Sequence, residues 1–130
     1  MARPDQCLDM SVKRLAIPEV VSLPAEIDIT NAPAVGRDLM VALRLGVSVV
    51  IADMSSTTYC DSSALSQLII ANKHAVCTGA ELRVVTSSPA VRRIMQVIGA
   101  DQILRLYPDM AAALTAAPQT EEQRQDRSVS

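Results

Sequence analysis

Asp61, Ser62 and Ser63 stand together in the stretch VSVVIADMSSTTYCDSSALSQLIIA, and these three are the residues of the chain best suited to chemistry. A carboxylate followed by two hydroxyls fits the first turn of a helix, where Asp and Ser oxygens accept hydrogen bonds from unpaired backbone N–H groups. Simple capping is the plainest use of the trio. The same geometry permits a second use, because a helix N-terminus carries partial positive charge and free N–H donors that favour an anion. A phosphate attached to Ser62 is expected to be tolerated there without unfolding the helix, while adding close to two negative charges to the surface. Catalysis by these serines fits poorly. The chain has no GxSxG elbow, and its one histidine, His74, lies about three turns down the same helix, about 18 Å from Ser62 by helical rise.

Cysteine supplies the other reactive groups: Cys7, Cys60 and Cys77. Cys60 directly precedes Asp61, so its oxidation would gate the neighbouring serines, and Cys7 in the leader has the reach to meet either of the others. Against this stands the ordinary role of a free cysteine as a small buried hydrophobe at a strand end. Cys60 and Cys77 flank one predicted helix and lie about 22 Å apart along its axis, too far to pair. The three match neither a metal-site spacing nor an even-numbered disulfide framework. The expectation is therefore reduced thiols and no metal site. His74 reads as an exposed helix residue, and Arg92 and Arg93 as solvated residues opening a third helix.

The elements that must position these residues alternate along the chain. Residues 1–9 read as a loose leader, 10–117 as one domain and 118–130 as a polar tail with too little apolar content to fold. Residues 10–16 alternate weakly and suit an edge strand. EVVSL, 19–23, is a short strand stopped by Pro24. Asp28 to Pro33 carries a helix-start signal, with Thr30 or Asn31 as cap and Pro33 in the first turn. That helix is predicted over 32–45, ending at Gly46. VSVVIADM, 47–54, is a nearly unbroken β-branched run, the pattern of a strand covered on both faces. Further helices are predicted over 62–78, 89–98 and 108–116, with strands at 81–85 and 103–106 between them. Alternating strands and helices predict an α/β fold: a mixed, mostly parallel sheet of four or five strands with about four helices. Val49, Ile51, Leu65, Leu68, Ile69, Leu82, Val84, Ile94 and Ile98 are the predicted core.

Composition narrows the function. The chain has 130 residues, 49% hydrophobic but only 2% aromatic, with no Phe or Trp, so its core is aliphatic. Base-stacking modules need exposed aromatics, and a net charge of −2 with mixed signs is no footprint for nucleic acid. MARPDQCLDM lacks the apolar core of a signal peptide, and no apolar run approaches the 18 residues of a membrane span. A soluble cytoplasmic protein is expected.

Several segments in order carry a resemblance: Ala25-Glu26-Ile27-Asp28 with Asn31-Ala32-Pro33, then VVIADMSSTTYCDSSAL, then Gly79 to Val85, then Ser88-Pro89-Ala90-Val91-Arg92-Arg93. Together, over roughly 19–106, the chain resembles the anti-sigma factor antagonists, bacterial regulators built on the STAS domain. The resemblance implies a non-enzymatic switch without a cofactor. In that switch an anti-sigma factor, itself a serine kinase with a histidine-kinase-like ATPase fold, phosphorylates the serine after the aspartate. The unphosphorylated antagonist binds that kinase and frees a sigma factor. Carried onto this chain, Ser62 is the phosphoacceptor, Asp61 positions it, Ser63 is the neighbouring hydroxyl, and Asp28 is the acidic residue near the acceptor. A local turn role serves Asp28 equally well. Ala25 and Ala64 stand where these antagonists usually carry Gly, and each methyl is expected to take up room at the kinase contact.

Two rival readings remain open on sequence. One keeps the fold as a nucleotide-binding module or a scaffold subunit of a transport system, without a phosphoswitch. The other is a small hydrolase using Ser62, made remote by the lack of a nearby base.

Overall fold

Glu19–Ser22 (β1) and Val49–Asp53 (β3) pair in parallel, with Val20 opposite Ile51, and they open the sheet on which the rest is built. A computed structural model describes residues 17–117 of the chain; the predicted leader, the edge strand at 10–16, the tail and Cys7 lie outside the described residues. β3 pairs with Glu81–Val85 (β5), and β5 with Arg105–Tyr107 (β6), giving the order β1-β3-β5-β6, parallel throughout. A separate two-stranded sheet, Glu26–Ile27 (β2) with Tyr59–Cys60 (β4), is also parallel. Sequence reading missed this small sheet, because two-residue strands are too short to show a period.

Four helices connect the strands: Ala32–Leu43 (α1), Ser62–Thr78 (α2), Pro89–Ile98 (α3) and Met110–Thr115 (α4). α2, α3 and β5 have their predicted bounds. Gly79 and Gly99 end α2 and α3 with φ of 86° and 92°, left-handed values that a side chain would strain. α1 stops at Leu43 rather than Leu45, and α4 begins at Met110 because Asp109, not Pro108, caps it. β6 lies two residues beyond its predicted start, since Ala100–Gln102 form a short 3₁₀ turn first.

Period-two alternation divides the sheet's two faces. Val50 and Ala52 of β3 and Leu82 and Val84 of β5 join Leu39, Leu65, Leu68, Val91 and Met95 of the helices in one large core. α1 crosses α2 at Gly36, where a Cβ would collide with the Gln67 amide, so a glycine sets the approach of the two helices. Ile51 and Val85, on the opposite face, meet Ala113 of α4. Of the predicted core, Val49, Ile69 and Ile94 are only partly buried, and Ile98 is 48% exposed. The correction for Ile98 has a local cause: it is the last residue of α3, beyond the turn that Val91 and Met95 seat in the core.

Glu81 and Arg83 are buried although charged. Both point to the α4 face of β5, where Glu81 accepts from Arg83 Nε at 3.0 Å and faces Arg105 Nε at 3.5 Å. In ELRVV, predicted simply as a short strand, residues 81, 83 and 85 share one face.

Candidate functional site

The site is built where β4 runs into α2. Thr57 is buried and its hydroxyl donates to the Pro24 carbonyl at 2.7 Å, while Thr58 N–H donates to the Ala25 carbonyl at 2.8 Å. These bonds lay the polar loop after β3 along the start of β2. Ile27 then stands opposite Cys60, and Asp61 N–H donates to the Ile27 carbonyl at 3.2 Å. Next in line beyond that pair come Asp28 and Asp61, 33 residues apart in sequence, at adjoining ends of the small sheet.

Asp61 is the N-cap of α2. Its Oδ1 accepts from Ser63 N–H at 2.9 Å and from Ala64 N–H at 3.3 Å, so the carboxylate occupies the position that an anion takes at a helix N-terminus. Ser62 is the first residue of the helix and is exposed. Ser63 is half-buried and meets Asp61 through its N–H.

Asp28 is held by a local turn. Its carboxylate accepts from the hydroxyl and the N–H of Thr30, and these two bonds, the hydroxyl's first, hold it below the ordinary aspartate range. Asn31 occupies the N-cap position of α1 without capping it. Its Oδ1 accepts from Asp28 N–H and its Nδ2 donates to the Glu26 carbonyl, both at 2.8 Å. The expected side-chain cap of α1 by Thr30 or Asn31 is thus replaced by bonds that fix the loop carrying Asp28.

Ala64 requires a correction. It is 1% exposed and belongs to the large core, so its methyl faces inward and takes up no room at a partner contact. A residue at the third position of a helix lies on a different face from the first, about 200° away at 100° per residue. Ala25 is exposed, and the expectation of a partner-facing methyl stands there alone.

Cys60 is a free, fully buried thiol in the core, pushed up by burial first and by the Asp61 charge second. Thiolate is the reactive form, so this environment favours the inert one. Cys77, near the far end of α2, is disulfide-bonded, which corrects the expectation of uniformly reduced thiols. His74 is half-buried on α2, twelve residues from Ser62 along one continuous helix. Arg92 and Arg93 are exposed, as expected. Among the described residues no three His, Cys, Asp or Glu side chains are grouped to hold a metal, and no helix is long and apolar enough to cross a membrane.

Sequence reasoning missed the residues that hold the site together, Thr57, Ile27 and Asn31. It also missed two exposed apolar neighbours, Ile29, 72% exposed beside Asp28, and Tyr59, 49% exposed two residues before Asp61. The run of four hydroxyl residues, 55–58, was the available signal for Thr57, but only the fold distinguishes the one that turns inward.

Residues 12–113 match the family model described as the STAS domain. The chain belongs to the STAS-domain family. A STAS-domain-containing protein of Pseudomonas aeruginosa is 32% identical over 56 residues, 43% of this chain and 55% of that protein, so the chain spans about half the length of the curated relative it matches. Among solved structures, an anti-sigma factor antagonist from Mycobacterium paratuberculosis superposes with a TM-score of 0.69 at 29% identity, covering 75% of this chain and 83% of that one. A putative anti-sigma factor antagonist from Thermotoga maritima gives 0.66 at 20% identity over 76% and 87% of the two chains. The antagonist SpoIIAA in its unphosphorylated form gives 0.59 at 19% identity over 91% of each. At those two identities the likeness concerns the fold.

Proposed function

We propose that this STAS domain is an anti-sigma factor antagonist whose binding to an anti-sigma factor is switched by phosphorylation of Ser62. The observation that carries the reading is that Ser62 is exposed at the first position of α2, directly after the capping carboxylate of Asp61, on a junction whose two short strands have the exposed apolar residues Ile29 and Tyr59 in or near them in sequence. An accessible serine on a fixed helix end suits a kinase cleft, and exposed apolar residues close by in sequence suit a protein partner better than a small solute. The solved relatives that share the fold are described as anti-sigma factor antagonists, which supports the same general role here.

In this reading the chain catalyses nothing and acts in the cytoplasm. Ser62 Oγ attacks the γ-phosphorus of ATP held by the anti-sigma kinase, ADP leaves, and the hydroxyl proton passes to a base on the kinase. The unphosphorylated chain binds the kinase and releases a sigma factor. The phosphorylated chain binds weakly, because close to two added negative charges sit at the centre of the contact. The test is incubation with the native host's anti-sigma kinase and ATP, followed by mass spectrometry of the parent chain and Ser62→Ala. Phosphate on Ser62 in the parent and none in the variant is expected. Phosphate on Ser63 or Thr58, or none on the parent, would overturn the assignment.

A further inference from the structure

A charge on Ser62 does not meet an empty helix end. The Asp61 carboxylate already takes the Ser63 and Ala64 N–H groups at 2.9 and 3.3 Å, and Ala64 N–H also donates to the Asp61 carbonyl at 3.1 Å. Leu65 N–H is likewise committed to that carbonyl, at 3.3 Å. The Ser63, Ala64 and Leu65 N–H groups, three of the first-turn donors on which a phosphoserine at this position would draw, are therefore in use. The Asp61 carboxylate is thus an anion already seated beside Ser62. A second anion at one helix N-terminus gains little from the dipole and is repelled by the first.

Resting on the reading of Ser62 as phosphoacceptor, we propose that a negative charge on Ser62 unseats the Asp61 carboxylate from its cap. Phosphorylation then rearranges the junction of β4 and α2 as well as charging its surface. The two anions compete for the same Ser63 and Ala64 N–H groups, and the dianion with three acceptor oxygens wins. Asp61 is in this sense a positioning residue. It holds the unmodified helix end in one arrangement, and its displacement is what a partner reads beside the charge. The general preference of helix N-termini for negative groups would predict the reverse, a stabilised helix.

The test is a thermodynamic cycle that needs no kinase. Ser62→Asp is compared in the parent and in Asp61→Asn, where Asn keeps a capping oxygen without the charge. Melting temperatures are read at low salt. In the parent the substitution is expected to lower the midpoint by about 2–4 °C, the size of a modest charge repulsion in a domain of this length. In Asp61→Asn it is expected to leave the midpoint unchanged or raise it. A protein carrying phosphoserine at position 62, made by semisynthesis, should show a larger loss with the same dependence on Asp61. Equal shifts in the two backgrounds, or a raised midpoint in the parent, would overturn the competition. Failure of the kinase to label Ser62 would instead strike the functional reading and leave the cycle as it stands.

Discussion

Arg83 Nη1 donates to the carbonyl of Ala113 at 2.6 Å, so a buried guanidinium ties helix α4 to β5. The same group reaches the Ala117 carbonyl at 3.4 Å and pairs with Glu81 at 3.0 Å. Helix α4 has six residues and one fully buried side chain, Ala113, which with Met110 packs on Ile51 and Val85. The polar contacts of Arg83 add to this small apolar area.

Arg83→Met is therefore expected to cost about 3 kcal/mol of folding stability, since it takes the 3.0 Å guanidinium partner from the buried Glu81 carboxylate. Chemical denaturation reads the loss, and hydrogen exchange should show residues 110–117 losing protection before the rest of the sheet. Uniform protection across the sheet and α4 in the variant would show that α4 docks without the arginine.

Ala64→Gly is expected to destabilise the chain by about 1–2 kcal/mol, combining lower helix propensity with a lost core methyl. Because that methyl is 1% exposed, affinity for an anti-sigma kinase should not rise. A thermal melt and a titration, run together on parent and variant, check both halves. A tighter complex would mean that the partner reaches a face of α2 that the fold buries.

Asp28 sets a pH dependence with a definite sign. Its carboxyl is held low by the Thr30 hydroxyl and N–H, so it supports the folded state above the ordinary aspartate value and loses that support as pH falls through its lowered one. Thr30→Val removes the hydroxyl bond and keeps the N–H. The Asp28 midpoint, followed by carboxyl-carbon NMR, should move upward in the variant without reaching the ordinary value. An unmoved midpoint would assign the effect to the backbone bonds.

Much of this architecture is legible in the chain itself. Helix α2 is bracketed by Asp61 and Gly79, and α3 by Ser88-Pro89 and Gly99; these residues act through local backbone geometry, so neighbours in sequence suffice to place them. The β-branched runs around Ile51 and Val84 mark covered strands for the same reason, since burial on two faces leaves no polar alternation. The place of Ser62 at the first position of α2 follows from the capping aspartate before it.

Contacts between distant residues decide the rest. The joining of the Asp28 loop to the start of α2 depends on a two-residue ladder, Glu26–Ile27 with Tyr59–Cys60, that has no periodic signature. Ala64 looks like an exposed site residue in one dimension, but the rotation of α2 on the sheet turns its methyl into the core. Glu81 and Arg83 read as members of a short strand with no sign of burial, until α4 brings the Ala113 carbonyl to Arg83, 30 residues away. Local propensity fixes where elements begin and end, whereas which side chains share a face, and which charges compete for one helix end, depends on packing across the fold.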